Sequence, residues 1–227
     1  MRPSRTLTTT LVAAALLAAC TMPMSTSSTG PMSFFVTSAG SGRGGDLGGL
    51  AGADALCQRL ATAAGAGAKT WRAYLSVPNV PAAGTTPAVA AVHARDRIGK
   101  GPWYNAKGML VARDLDQLHG GNALNKDSAL DERGAVVKGR GDTPNEHDML
   151  TGSRSDGTAF APQPDTTCKA WTSSGDGSAI VGHHDRQGPT ADNWATAWNF
   201  SHPSAGCSQE SLVRTGGAGR FYCFASN

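Results

Sequence analysis

The sequence is poor in charge, in aromatic residues and in long hydrophobic runs. Of its 227 residues, 16% are charged and 6% are aromatic, and the formal net charge is only +3. The basic residues are scattered rather than clustered, so no phosphate-binding stripe is evident and we expect no nucleic-acid partner. The one long apolar stretch lies at the N-terminus and is too short to span a bilayer comfortably. The 29 Gly and 12 Pro have no fixed period, which excludes collagen and favours a compact fold with many turns.

The N-terminus has the features of an export signal. Residues 1–19 carry two Arg and no acid ahead of a continuous apolar run, as secretory signal peptides do. The segment Leu17-Ala18-Ala19-Cys20 resembles a bacterial lipobox. That resemblance implies a lipoprotein, with Cys20 carrying a diacylglyceryl group and acyl chains such as palmitate. The alternative is a plain signal peptide in which Cys20 occurs by chance.

A short linker separates this anchor from the rest of the chain. Residues 20–33 comprise the lipidated Cys and small polar residues with two Pro, which cannot bury enough apolar surface to fold and predict a flexible tether. The lipobox resemblance also implies a sorting rule, in which an Asp at the position of Thr21 would favour retention in the inner membrane. The sequence therefore predicts a lipid-anchored protein of the cell envelope, in the outer membrane of a Gram-negative bacterium, with one folded domain at 34–227.

Five Cys are present, and assigning Cys20 to the lipid leaves an even number. Four Cys in an exported chain predict a disulfide framework with three possible pairings. The four residues are Cys57, Cys168, Cys207 and Cys223.

The periodicity of the remaining chain predicts one α+β domain. Apolar residues at three- and four-residue spacing predict a helix over 48–64, with Cys57 on its apolar face. Short apolar or alternating runs predict strands. These runs are at 34–37, 70–76, 168–174, 179–183 and 219–226.

An ordered set of motifs resembles a known family. A Cys in an early helix precedes Thr70-Trp71-Arg72-Ala73-Tyr74-Leu75-Ser76, a second opens Cys168-Lys169-Ala170-Trp171-Thr172, and the last lies in Phe221-Tyr222-Cys223-Phe224. The set resembles the endostatin domain of collagens and its bacterial relatives. The resemblance implies a C-type-lectin-like fold with two nested disulfides, Cys57 to Cys223 and Cys168 to Cys207.

The loop from His183 to His202 is the predicted ligand-binding segment, because binding residues concentrate on loops held by a rigid scaffold. An indole beside amide, carboxylate and guanidinium groups suits a sugar, with its apolar face and hydroxyl edges. The competing interpretation places both Trp of the loop in the core. The predicted binding residues are Asp185, Arg186, Asn193, Trp194, Asn199 and His202.

Two motifs bear on metals. Gln163-Pro164-Asp165 and Trp198-Asn199 look like the sugar motifs of calcium-dependent lectins, but Phe200 follows where a second carboxylate is needed. We therefore expect no cofactor and keep calcium as an alternative.

The histidines are the other candidate metal ligands. Adjacent His183 and His184 point to opposite faces of a strand and cannot easily share one ion. Whether His119, His147 and His202 converge is left open, and no metal site is predicted.

These features together predict a non-enzymatic binding module that recognises a glycan or protein ligand at the envelope. One alternative is a hydrolase that uses His183 or His184 with Asp185. The other is an adhesin that binds host matrix through Arg140-Gly141-Asp142, which lies in a polar segment.

Overall fold

The computed structural model describes Met1 and residues 30–85 and 87–226. The predicted lipidation site at Cys20 and nearly all of the predicted signal peptide and tether lie outside the described residues. Residues 30–33, which the sequence assigned to the tether, are packed against the domain: the Gly30 N–H donates to the Gly108 carbonyl oxygen at 3.1 Å. Among the described helices, none has the length and apolarity that a membrane crossing requires.

The described chain is a mixed α+β domain, as the sequence predicts. Its helices are α1 Gly49–Ala63, α2 Ala94–Arg97, α3 Leu115–Gly120, α4 Cys168–Trp171 and α5 Gln209–Thr215. Its strands are β1 Phe34–Val36, β2 Trp71–Ala73, β3 Trp103–Tyr104, β4 Leu110–Ala112, β5 Asp148–Leu150, β6 Ile180–His183, β7 His202–Pro203 and β8 Gly217–Ala225.

One sheet organises the domain around its longest strand, β8. The strand order is β1-β8-β5-β6-β7, and β2 also pairs with β8. β5 runs parallel to β8, while β1, β2 and β6 pair antiparallel with their neighbours. β3 and β4 form a separate hairpin. The edge formed by β5, β6 and β7 carries the candidate site described below.

Hydrophobic clusters cover both faces of the sheet, because successive side chains on a strand point to opposite sides. Phe35 belongs to a cluster with α1, Trp71 and Trp171, whereas its neighbour Phe34 belongs to a second cluster with Trp198 and other aromatic residues. All of these aromatic side chains are buried.

Two disulfides cross-link the domain. Cys57 of α1 is bonded to Cys223 of β8, and Cys168 of α4 is bonded to Cys207. The pairing implied by the resemblance is thus confirmed.

The strand predicted over 168–174 is wrong. Residues 168–171 form a left-handed turn with φ of 49° to 67°. The turn buries both Cys168 and Trp171, so that the first reaches its disulfide and the indole N–H of the second donates to the Ser76 carbonyl oxygen at 2.9 Å. An extended strand would send these side chains, three residues apart, to opposite faces.

Candidate metal centre

Four polar side chains meet at the sheet edge because of strand register. Asp148 of β5 lies directly opposite His183 of β6. His202 of β7 pairs with Val181, two residues before His183, so His202 and His183 share a face. His147 immediately precedes β5. We call these four residues, His147, Asp148, His183 and His202, the His/Asp centre.

The three imidazoles converge on one carboxylate oxygen. The Nε2 atoms of His147, His183 and His202 lie 3.2, 3.4 and 3.7 Å from Asp148 Oδ1. The Nε2 atoms of His183 and His202 lie 3.0 Å apart. The three Nε2 atoms therefore lie around Asp148 Oδ1, and the possible ligand atoms of His147, Asp148 and His183 all lie within 4.8 Å of one another.

The carboxylate of Asp148 is buried and lacks a hydrogen-bond partner. Asp148 is 3% exposed, and neither of its oxygens has a hydrogen-bond partner within the described part of the chain. His147 and His183 are also buried, whereas the side chain of His202 is 28% exposed. A buried, ionised carboxylate needs a compensating charge or donor. A bound cation among the imidazoles or an N–H of one of these rings can supply it.

The opposite nitrogen of each ring faces an acceptor. His183 Nδ1 lies 2.7 Å from the Ala195 carbonyl oxygen, and His202 Nδ1 lies 3.1 Å from that of Pro203. His147 Nδ1 lies 3.3 Å from a carboxylate oxygen of Asp185. Where these contacts are hydrogen bonds, Nδ1 carries the hydrogen, and a neutral ring then has its lone pair on Nε2. Such contacts are how proteins orient metal-ligating histidines. The Ser201 hydroxyl lies 3.2 Å from Nε2 of His183 and can donate to it.

Asp185 is ionised and so supports this arrangement. Burial alone would raise the pKa of its carboxyl, but hydrogen bonds from His147 and from the backbone N–H groups of Arg140 and Gln187 outweigh burial and hold the pKa far below its usual range. An ionised Asp185 is a strong acceptor for the His147 Nδ1–H.

The dimensions of the centre suit zinc or a similar transition ion. With bonds of about 2.0–2.1 Å, the ligand atoms of a tetrahedral site lie roughly 3.3 Å apart. The four separations of 3.0, 3.2, 3.4 and 3.7 Å, which are those to Asp148 Oδ1 and between His183 and His202, lie close to that distance. Calcium and magnesium need six or more oxygen ligands, and this set offers three nitrogens and one carboxylate.

One ring must move for all four residues to bind a single ion. His147 and His183 are stacked, with centroids 4.1 Å apart and planes inclined by 11°. The lone pair of an imidazole nitrogen lies in the plane of its ring, so a metal ion must lie in that plane too. Two stacked, nearly parallel rings have separate planes and cannot both point at one ion. The ring torsion of His is soft enough to allow this turn. His183, His202 and Asp148 therefore form the better-aligned part of the centre.

A proton is the alternative cation. Burial would lower the pKa of His183, but the neighbouring Asp148 carboxylate and the Ala195 carbonyl group outweigh it and raise the pKa. A protonated His183 would compensate the charge of Asp148 without a metal. The two explanations differ in whether the purified protein binds a metal ion stoichiometrically.

The structure separates the predicted ligand-binding residues. Asp185 and Asn199 are buried, at 4% and 2% exposure, and Asn199 donates to Tyr74 Oη and to two backbone carbonyl groups. Arg186 is half-buried and donates to Asn122 Oδ1 at 3.2 Å. These three side chains have internal partners.

The other predicted binding residues are accessible to different degrees. Trp194 is 42% exposed and Asn193 is also exposed, while His202 belongs to the His/Asp centre. Trp198 is 3% exposed and packs in the core, as the competing interpretation expects for one of the two Trp. Binding of a ligand at these residues stays a prediction.

The residues of the hydrolase alternative do not come together as a pair. His184 points away from the centre, and its Nε2 lies 3.1 Å from the Lys138 carbonyl oxygen. Asp185 contacts His147 rather than His183 or His184. His183 and His184 therefore point in opposite directions, as strand geometry predicts for adjacent residues.

The residues of the Arg-Gly-Asp and calcium motifs are also engaged internally. The Asp142 carboxylate lies 2.6 Å from Lys126 Nζ and accepts from the Gly139 N–H. The Lys126 contact is the main reason that the pKa of Asp142 is lowered. The Asp165 carboxylate accepts the backbone N–H groups of Thr167 and Lys169, which stabilises the left-handed turn.

Sequence reasoning missed Asp148 and did not predict that two of the His would join His183. His119, the third residue left open, lies elsewhere, with its Nε2 2.8 Å from Tyr74 Oη. The available signal was the pair His147-Asp148 ahead of an apolar segment, which is weak without knowledge of the strand register. No protein-family model matches the chain and no curated protein resembles it significantly, so the assignment of the centre depends on its geometry.

Proposed function

We propose that this chain is an envelope-anchored, non-enzymatic protein that binds a divalent transition metal at the His/Asp centre. The observation that carries the proposal is the convergence of three imidazole nitrogens on a buried carboxylate without a hydrogen-bond partner. The lipobox-like segment at Cys20 supports the anchor. The confirmed disulfide pairing supports a C-type-lectin-like scaffold.

Zinc is the ion that the ligands favour. Imidazole and carboxylate groups are its ordinary protein ligands. Once the ring of His147 or His183 turns so that all four residues bind, four protein ligands describe a closed site rather than one with an open position for a substrate. We therefore propose a structural role for the ion. It would stabilise the edge of the sheet and would not activate water.

The proposal is tested on the full mature protein in detergent. After removal of metal by a chelator, calorimetric titration with Zn²⁺ at pH 7.5 should show one ion bound per chain. His183→Gln and His202→Gln should each weaken binding by more than about 100-fold, since loss of an outer-shell partner alone costs 10–100-fold. His93→Gln is the matched control, because His93 Nδ1 accepts from the Ala159 N–H away from the centre.

Absence of stoichiometric Zn²⁺ binding by the wild type would refute the proposal and leave a protonated His183 as the cation. Equal affinities of the wild type and His202→Gln would place the ion elsewhere. Replacement of Zn²⁺ by Ca²⁺ with similar affinity would contradict the assigned ligand set.

Recognition of a glycan or protein ligand is the second candidate function, and the exposed indole of Trp194 favours it. Trp is enriched where proteins bind ligands, because it combines a large apolar face with a polar N–H group. A glycan array probed with the wild type and with Trp194→Ala tests this role. Unchanged binding by the variant would exclude Trp194 from the recognition surface.

A further inference from the structure

A cavity of about 380 Å³ lies away from the His/Asp centre and has a volume typical of small-molecule sites. Arg154 and Thr166 line it, and none of the four residues of the His/Asp centre does. Most of its other lining residues are apolar, namely Phe160, Ala161, Pro164, Ile180 and Pro203. The cavity thus combines an apolar wall with a small number of polar groups, as ligand sites do.

Two aromatic residues at this cavity lie outside the core. The chain has six Phe, of which four are fully buried. Phe160 and Phe200 are instead partly exposed, belong to neither hydrophobic cluster, and pack on each other with ring centroids 5.7 Å apart. A partly exposed aromatic pair beside a cavity offers an apolar surface on which a ligand can pack.

The guanidinium group of Arg154 lies over this surface without a counter-charge. Its central carbon is 4.9 Å from the centroid of the Phe160 ring, and its Nη1 donates to the Ala159 carbonyl oxygen at 2.6 Å. No ion pair among the described residues includes Arg154. The remaining N–H groups of a planar guanidinium match the two oxygens of a carboxylate.

The backbone of Arg154 is fixed by the folded protein itself. Its N–H donates to the Thr158 carbonyl oxygen at 2.8 Å, and its own carbonyl oxygen accepts from the Gly157 N–H and from the buried side chain of Asn199. A cation on a fixed backbone loses less conformational freedom when it binds a ligand, so less of the binding free energy is lost to ordering.

Thr166 contributes a polar group without a partner. It is 7% exposed, and its Oγ1 has no hydrogen-bond partner within the part of the chain that the structure describes. The hydroxyl of Ser178, which also lines the cavity, donates to the Asp165 carbonyl oxygen at 3.3 Å. Because a buried hydroxyl without a hydrogen bond destabilises the folded state, a ligand that bonds to Thr166 removes an existing cost.

We propose that this cavity binds a small organic acid in which one carboxylate is attached to an apolar body such as a ring. Arg154 pairs with the carboxylate, Phe160 and Ile180 contact the apolar body, and the Thr166 hydroxyl forms a hydrogen bond with the ligand. One unpaired cation compensates one negative charge, which favours a carboxylate over a phosphate group. The site is independent of the proposed metal, so the failure of one proposal leaves the other standing.

The two Ile of the chain provide a probe with a built-in control. Ile180 lines the cavity, whereas Ile98 is buried in the second hydrophobic cluster and does not. In the full mature protein in detergent, ¹³C-methyl labelling of Ile gives NMR signals from these two side chains alone, and Ile180→Val assigns them. At pH 7.5, benzoate should shift the Ile180 methyl signals saturably through its ring current and leave those of Ile98 unchanged.

A neutral analogue and Arg154→Gln test the ion pair. Benzamide, which has the same ring without the charge, should bind the wild type at least about tenfold more weakly than benzoate does. Benzoate should lose at least as much affinity for Arg154→Gln, since a hydrogen bond to a charged group corresponds to roughly 10–100-fold in affinity. Arg113→Gln is the matched control, because Arg113 is also exposed and does not line the cavity.

Thr166→Val tests the hydroxyl while keeping the shape of the side chain. Benzoate should bind this variant about three- to tenfold more weakly, the usual effect of losing one hydrogen bond. The free energy of unfolding in urea should not fall, because the Thr166 hydroxyl has no internal partner to lose among the described residues. A weaker ligand interaction without a loss of stability is the result that a purely structural role of Thr166 would not produce.

Each contrary result identifies the part that fails. Unchanged Ile180 signals at high benzoate concentration would exclude the cavity as a binding site. Equal affinities for benzoate and benzamide, or equal benzoate affinities of the wild type and Arg154→Gln, would show that the charge plays no part and that the ligand class is wrong. Unchanged benzoate binding by Thr166→Val would place the ligand on the exposed side of Arg154, outside the cavity, and would overturn the assignment.

Discussion

The Nε2 atoms of His183 and His202 lie 3.0 Å apart while Nδ1 of each ring faces a backbone carbonyl oxygen. With both hydrogens on Nδ1, neutral rings would direct two lone pairs at each other across this distance. Such a contact is unfavourable unless a cation lies between the nitrogens or one ring carries its hydrogen on Nε2 and donates it to the other ring. Asp148 Oδ1, at 3.4 and 3.7 Å from the same atoms, completes a site for a positive charge.

The first prediction concerns the acceptor behind His147. Asp185→Asn preserves the size of the side chain but removes the charge that accepts the Nδ1–H of His147. We expect Zn²⁺ affinity to fall by about 10–100-fold, the usual effect of losing an outer-shell carboxylate. Calorimetric titration measures the change. Asp142→Asn, whose carboxylate pairs with Lys126 instead, should bind Zn²⁺ as the wild type does. Unchanged affinity in Asp185→Asn would mean that His147 is not a ligand.

The second prediction uses Trp194 and Trp198, both in the segment between His183 and His202, as a matched pair. Trp198→Ala should lower the free energy of unfolding by about 3–5 kcal/mol, the usual cost of truncating a buried Trp, because Trp198 is 3% exposed among core aromatics. Trp194→Ala should cost less than about 1 kcal/mol, because Trp194 is 42% exposed. Urea unfolding of both variants provides the comparison. Similar losses in the two would show that Trp194 packs as a core residue.

Local sequence patterns correctly predicted one helix and several strands. The apolar spacing anticipated α1, and the short apolar runs anticipated β1, β6 and β8. The left-handed turn at 168–171 was not anticipated, because it depends on a disulfide to Cys207 and on a hydrogen bond to Ser76, both distant in sequence. Local alternation alone favoured a strand there.

The His/Asp centre could not be predicted for a related reason. Its residues come from three segments, and they meet only because Asp148 is in register with His183 and because Val181 is in register with His202. A shift of one residue in either pairing would turn one set of side chains to the other face. Strand register depends on long-range packing, which the sequence does not display.

The third prediction concerns the relative contributions of the disulfides. Cys57 and Cys223 are 166 residues apart, and Cys168 and Cys207 are 39 apart. In the chain-entropy model, the longer loop contributes about 5 kcal/mol and the shorter about 4 kcal/mol. Replacing both Cys of each pair with Ala avoids free thiols, and the 57/223 variant should be the less stable in urea unfolding. The opposite order would show that native-state packing, rather than loop length, determines the cost.

The fourth prediction concerns the membrane anchor, which lies outside the described residues. Since Cys20 follows a lipobox-like segment, the mature protein should partition into the detergent phase and the membrane fraction. Cys20→Ala should release the protein or leave an unprocessed precursor. Phase partitioning and the mass of the N-terminal peptide measure both. Equal membrane partitioning of the two forms would exclude lipidation at Cys20.

The fifth prediction is a pH dependence of stability that comes from His119. Burial, the main cause, lowers the pKa of its imidazole, although a hydrogen bond to the Leu115 carbonyl group acts in the opposite direction. With Nδ1–H donated to Leu115, Nε2 accepts the hydroxyl of Tyr74 at 2.8 Å. Burial also raises the pKa of Tyr74, so the phenol keeps its proton and remains a donor.

The sign follows from proton binding. Below the unfolded pKa of about 6.5, the unfolded chain takes up a proton at this residue before the folded chain does, so the unfolded state binds more protons. The contribution of His119 to stability is therefore complete above about pH 6.5 and decreases as the pH falls toward the folded pKa. His119→Gln keeps an acceptor for Tyr74 but does not titrate. Between pH 7 and pH 5, the wild type should lose more free energy of unfolding in urea than His119→Gln does, and NMR should place the His119 midpoint below 6.5. Equal losses in the two proteins, or a midpoint above 6.5, would contradict the prediction and show that protonation of His119 in the folded domain costs no stability.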